Sequence, residues 1–236
     1  ALHLQLINAL RFAQDRSELA IHYQPQIDVH SGRLVGAEAL LRWTNPGLGD
    51  VAPSVFIPAA EESGLILTIG EWVLRNAVRQ AASWINKGLA PFVVAVNLSA
   101  VQFRRGDLLN SVTQALADSG LEPSHLELEL TESLLIDDAE EVLEKVRRFK
   151  ALGVCLSIDD FGTGYSSLAY LKRFAVDKLK IDQSFVRDIA SDPDDAAIVR
   201  AIISMARSLK LKVIAEGVET AELARFLRLY HCHEAQ

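Results

Sequence analysis

The sequence predicts an α/β fold in which short apolar strands alternate with amphipathic helices around one sheet. The main evidence is this alternation, which runs unbroken from residue 34 to residue 229 and implies parallel strands covered by helices. A hairpin signal at the start also makes the first strand antiparallel to the second. The chain has 236 residues, half of them hydrophobic, and a single domain of that size can bury a large core without staples.

Residues 4–20 read as a helix, with Leu6, Ile7 and Leu10 on its apolar face. Residues 21–29 form a strand, Gly32 marks a turn, and 34–43 form the second strand. Residues 46–53 are a Gly/Pro loop, and 58–63 and 71–87 are helical. Strands follow at 92–98, 126–131, 155–158, 178–181 and 212–215. Helices at 108–119, 139–152, 168–173, 196–209 and 221–229 lie between or after them. Seven strands are visible, whereas a closed (β/α)8 barrel of the TIM type needs eight. The expectation is therefore a TIM-like barrel with an antiparallel first strand and its last strand missing, because the sequence reaches Gln236 where that strand would begin. Such a barrel would have an open seam with exposed backbone edges. No repeat or linker appears, so residues 1–236 read as one domain. The start without Met, inside a helical pattern, reads as a domain excised from a larger protein.

Composition narrows the function. Net charge is −7, which leaves no basic face to grip DNA non-specifically. Cys155 and Cys232 are too few for a disulfide framework and suggest a reducing, cytoplasmic compartment. No run of about 18 apolar residues appears, so this domain is expected to make no membrane contact. The N-terminus lacks the features of a signal peptide.

The strand ends carry the chemistry. Side chains two apart in a strand share a face. This parity places Glu38, Asn97, Glu129, Asp159, Lys180 and Glu216 at the exits of six successive strands. Asp160 follows Asp159, Asp182 shares the Lys180 face, and Glu219 lies one short turn beyond Glu216. In a parallel barrel these ends converge on the rim where barrel enzymes work. Like charges about 4 Å apart repel by roughly 4 kcal/mol at an effective dielectric near 20. Five crowded carboxylates therefore need protons or cations. Oxygen ligands with one Asn amide favour Mg²⁺ or Mn²⁺ over Zn²⁺. The adjacent Asp159-Asp160 pair suits two neighbouring ions, a common device for attack on phosphate esters. Glu127 reads instead as a lower-layer or peripheral structural group.

The sequence also resembles the EAL domain, the cyclic di-GMP phosphodiesterase family. The matching stretches are Tyr23-Gln24-Pro25, Glu38-Ala39-Leu40-Leu41-Arg42-Trp43, Asn97-Leu98-Ser99, Glu129-Leu130-Thr131-Glu132-Ser133, Asp159-Asp160-Phe161-Gly162-Thr163-Gly164, Lys180-Ile181-Asp182 and Glu216-Gly217-Val218-Glu219-Thr220. The resemblance implies hydrolysis of one phosphodiester of cyclic di-GMP to linear pGpG. It implies Glu38, Asn97, Glu129 and Asp159 around one ion, Asp160 at a second with Asp159 bridging, and Glu216 on metal or its water. Lys180 would hold the attacking water or neutralise developing charge; a plain ion pair with Asp182 or Glu216 is the alternative. Leu41 and Arg42 would meet the substrate, with Arg42 on a phosphate. Gln24, Asp182, Glu219 and Gln236 would join them, and Gln102 has both a binding and a structural reading. The loop 160–167 would shape the metal site and reach a homodimer interface, anchored by Glu132. Sensory or GGDEF-type domains would precede this one in the parent chain.

Two other functions compete with hydrolysis. A catalytically silent cyclic di-GMP receptor or interaction module would lack part of the acidic set, and none is missing here. A barrel enzyme acting on a phosphorylated metabolite would need a phosphate-gripping glycine loop after the last strands.

Overall fold

The computed structural model describes residues 2–89, 92–135, 139–164 and 168–236. Among the described residues nine strands form one sheet: β1 (Leu19–Asp28), β2 (Leu34–Asn45), β3 (Gly49–Val51), β4 (Val93–Leu98), β5 (Leu126–Thr131), β6 (Cys155–Phe161), β7 (Lys178–Ile181), β8 (Lys212–Ala215) and β9 (Glu234–Ala235). β3 only extends the end of β2 as a hairpin. The other eight run in the order β1-β9-β8-β7-β6-β5-β4-β2, and β1 also pairs with β2, so the sheet closes into a barrel. As the hairpin signal predicts, β1 is antiparallel to β2. It is antiparallel to β9 as well, while the remaining barrel neighbours are parallel.

The expected open seam is corrected by β9. Glu234 and Ala235 pair with Ile214 and Ala215 on one side and with Asp28 and Ile27 on the other. Gln236 N donates to Ala215 O at 2.9 Å, and Val218 N donates to Gln236 O at 3.0 Å. Two residues are too few for any periodicity to show, so this strand is invisible to a pattern reading. The helix expected at 58–63 in fact begins at Pro53, whose missing N–H suits a first helical turn. The helix expected at 71–87 spans Ile66–Asn86. The short helices Ala100–Arg105 and Gln183–Val186 had no counterpart in the sequence reading.

Strand parity divides the barrel into two environments. Side chains facing outward are apolar and fully buried beneath the helices: Val94, Val96, Leu128, Leu130, Leu156, Ile158, Leu179, Ile181 and Val213. The helix Ile66–Asn86 answers them with Ile69, Val73, Ala77, Val78 and Ala81. The core therefore lies between sheet and helices. The inside of the barrel is polar instead, with Gln26, Glu38, Glu127, Glu129, Ser157, Lys178, Lys180 and Glu234 all buried. Barrels of this class normally fill that space with branched apolar residues. Buried charge must be paired to be tolerated, and the lower tier shows the pairing. The Lys178 ammonium stands 2.9 Å from Glu127 and 2.6 Å from Glu234. Glu127 is thus a buried lower-tier group.

Removing one partner of such an ion pair leaves uncompensated charge in the interior, worth about 3–5 kcal/mol. Lys178→Met keeps the bulk and removes the charge. Denaturant unfolding should show a loss of about that size, and a loss under about 1 kcal/mol would contradict the pairing.

Candidate active site

Parity and register bring the strand-end residues together. Glu38 on β2 faces Gln24 on β1 and small Ala95 on β4. Asn97 at the end of β4 donates through Nδ2 to Glu38 Oε1 at 2.6 Å and pairs in register with Glu129 on β5. Lys180, fully buried on β7, stands at the centre. Its Nζ is 2.8 Å from Glu129, 3.0 Å from Glu216, and 3.2 Å from both Glu38 and Asp159. The contact with Glu216 matches one of the two plain ion pairs considered for this lysine, and three further carboxylates join it.

Asp160 reaches the same site by a different route. Neighbouring residues of a regular strand face opposite ways, so parity alone sends Asp160 outward. The register against β7 slips between Ile158 and Phe161, where three steps of β6 match two of β7. Asp160 takes a left-handed conformation, φ 54°, which Asp tolerates better than most residues. Its N–H donates to Asp159 Oδ1 at 2.9 Å. The bulge turns both carboxylates into the mouth, where Asp159, Asp160 and Glu216 each offer an oxygen within 4.8 Å of the others.

The electrostatics show a surplus of negative charge. Burial pushes Glu38 up, but Lys180 and the amides of Gln236 and Asn97 outweigh it and hold the carboxyl below the usual range. Burial drives Glu129 well above that range, against the pull of Lys180 and with help from the charges of Glu38 and Asp159. Desolvation and neighbouring Asp159 raise Glu216 to about 7, with Lys180 opposing. Partial desolvation with Asp159 and Asp182 raises Asp160 to about 6. Lys180 loses from burial yet is held protonated by its four carboxylates.

The remaining candidates fall into two groups. Gln236 is anchored: Nε2 donates to Gln24 Oε1 at 3.2 Å and to Glu38 Oε2. Arg42 shares the Glu38 face and donates to Leu41 O at 2.9 Å. Asp182 caps the helix Gln183–Val186 through Ser184 N at 2.9 Å and neighbours Asp160. Glu219 is exposed beyond Glu216. Glu132 is buried, and its Oε2 accepts from Gly162 N at 3.0 Å and Gly164 N at 3.3 Å. Gly162 has φ 101°, a conformation open to glycine. Residues 165–167 of that loop lie outside the described residues.

Of the two readings of Gln102, the geometry supplies the structural one. The side chain is buried and completes a capping box with Ser99, accepting from Ser99 N at 3.1 Å. A Cβ on Gly70 would fall 1.9 Å from Gln102 Nε2, so the amide lies packed under that helix. The sequence reading also passed over Gln26 and Glu234, both buried inside the barrel. Their only sequence signal is a spacing of two from Gln24 and Gln236.

The residues fit a hard cation. Four carboxylates meet one ammonium with Asp160 as a fifth beside them, and Glu129 Oε1 is buried with no partner among the described residues. The donors are all oxygens apart from Lys180.

This is the architecture of a known family. The model of the EAL domain family matches residues 7–236, and the chain belongs to that family. It is 50% identical over 233 residues to the Pseudomonas aeruginosa bifunctional diguanylate cyclase/cyclic di-GMP phosphodiesterase MucR, covering 99% of this chain and 34% of that protein. It is 44% identical over 234 residues to the Escherichia coli cyclic di-GMP phosphodiesterase PdeR, covering 99% and 35%. A solved structure of the PaMucR phosphodiesterase in complex with c-di-GMP matches with TM-score 0.95 at 50% identity, covering 98% of this chain and 94% of that one. The chain spans about a third of the length of these curated relatives. No helix among the described residues is long and apolar enough to cross a membrane.

Metal binding to this site should release protons. Glu216 near 7 and Asp160 near 6 hold protons in the metal-free state, and a cation selects their ionised forms. Affinity should therefore be weak below pH 6 and rise through 6–7 as Asp160 and Glu216 ionise. Calorimetry of Mn²⁺ binding in buffers of different ionisation enthalpy reads this directly. Proton release at pH 6 that declines as Asp160 and Glu216 ionise is expected; none at pH 6 would contradict the assignment.

Proposed function

We propose that this domain hydrolyses one phosphodiester bond of cyclic di-GMP to give linear pGpG, with two Mg²⁺ or Mn²⁺ ions held by Glu38, Asn97, Glu129, Asp159, Asp160 and Glu216. The observation that carries this reading is the unbroken acidic set gathered around Lys180 and Asp160. Family membership and relatives named as cyclic di-GMP phosphodiesterases support the substrate. Divalent ions bound there would acidify a nearby water and offset charge on the phosphate oxygens.

The chain's own residues supply the rest. Water attacks phosphorus, the P–O3′ bond breaks, and the 3′ oxygen leaves with a proton. Lys180, kept protonated by its carboxylates, directs N–H groups toward the attacking water or the developing negative charge. Arg42 releases its bond to Leu41 O and turns its planar fork to a phosphate, with Leu41 beside it. Gln24, on the adjoining strand, and Gln236 stand beside Glu38. Asp182 and Glu219 carry acceptors suited to the N–H edge of guanine. Glu132 holds the start of the loop at 160–164.

The domain is read as one unit, residues 1–236, of a longer signalling protein with sensory or GGDEF-type domains, working as a homodimer. The greater length of its relatives supports the longer protein. Both cysteines are free, in keeping with a reducing, cytoplasmic setting.

Incubation of the purified domain with cyclic di-GMP, with and without Mg²⁺ or Mn²⁺, tests the reading. Metal-dependent appearance of pGpG is expected. Tight binding without product would establish a silent receptor instead, and no binding would overturn both.

A further inference from the structure

Gln236 lies beside Glu38, and its amide can face that carboxylate in one sense only. An ionised carboxylate accepts hydrogen bonds and donates none, so the amide nitrogen must point toward Glu38. It does, and it also donates to Gln24 Oε1 at 3.2 Å. The amide oxygen then needs a donor from inside the barrel. Gln26 supplies it: Nε2 donates to Gln236 Oε1 at 2.8 Å. Gln26 is 1% exposed and sits two residues from Gln24, on the same inward face of β1. Turning its amide over would set two carbonyl oxygens against each other.

The barrel makes room for this side chain. Gln26 is opposite Gly36 in the register of β1 and β2. A Cβ at Gly36 would stand 2.7 Å from Gln26 Oε1 and 2.8 Å from Val93 O. Any larger residue would have to displace both the Gln26 amide and the Val93 carbonyl of the neighbouring strand.

We propose that Gln26 is a positioning residue for the active site: it fixes the sense of the Gln236 amide, so that the Gln236 NH₂ group holds Glu38 and Gln24 in place. The effect on chemistry rests on the reading of Glu38 as a metal ligand. Groups that orient ligands in this way change metal affinity by about 10–100-fold when removed.

Three variants test the proposal. Gln26→Leu and Gln26→Met keep bulk and lose the donor, and Gly36→Ala displaces the Gln26 amide while also pressing on Val93 O. The side-chain amide signals of the ¹⁵N-labelled, metal-free domain are read first, and Mn²⁺ affinity by electron paramagnetic resonance second. In the native domain the Gln236 NH₂ pair should be resolved and slow to exchange. In the folded variants it should move to averaged, solvent-like positions, and Mn²⁺ affinity should fall roughly tenfold. Native amide signals with affinity within about twofold of native in the folded variants would overturn the proposal. The amide signals need neither metal nor substrate, so they decide the matter even if the domain makes no pGpG. Changed signals with unchanged Mn²⁺ affinity would leave the positioning intact and remove Glu38 from the metal ligands.

Discussion

A single buried ammonium gathers the candidate active site. Lys180 Nζ lies within 3.2 Å of carboxylates from β2, β5, β6 and the segment after β8. Buried ion pairs are poor sources of net stability, because desolvation offsets the attraction. The apolar layer between sheet and helices therefore stabilises the fold, while the lysines decide how the interior is arranged. The same device appears one tier down, where Lys178 joins Glu127 and Glu234. Small residues stand in register with the long ones: Gly36 with Gln26, Ala95 with Glu38 and Ser157 with Lys178. The tiers differ in balance. Two carboxylates share the lower lysine, whereas four surround the upper one and Asp160 stands beside them as a fifth. That surplus makes the upper tier a place for cations.

The segments just beyond the barrel rim keep these side chains in place. Asn97 is followed at once by the Ser99–Gln102 capping box. Lys180 is followed by the Asp182 cap. Glu216 N donates to Ile181 O at 3.1 Å, and the chain beyond it begins a helix capped by Thr220. Asp159 and Asp160 are followed by a loop whose backbone donates to Glu132. These four strand ends are thus fixed within a few residues by a backbone hydrogen bond or cap, and sites held this way keep their geometry for chemistry.

Regular strands made much of the site legible in the sequence. Glu38, Asn97, Glu129, Asp159 and Lys180 lie in strands whose side chains alternate, so a period of two was enough to gather them. Asp160 escaped that logic, because a bulge and a left-handed φ place it where parity does not. The family motif named it, but only the register explains its position. The closing strand was missed because two residues carry no period, and Glu234 and Gln236 lost their structural context with it. Gln102 shows the reverse case. The Ser99-x-x-Gln102 spacing is a readable capping box, and the structure uses it as one. Gln26 stayed hidden because its role depends on Gln236, more than 200 residues away.

The acidic rim around Lys180 and Asp160 is proposed to hold two cations. Anomalous diffraction from crystals of the domain soaked in Mn²⁺ shows whether it does. Two peaks should appear at the mouth of the barrel, among Glu38, Asn97, Glu129, Asp159, Asp160 and Glu216. A map with no peak among these carboxylates, or with a lone ion that Asp159 and Asp160 do not touch, would contradict the account.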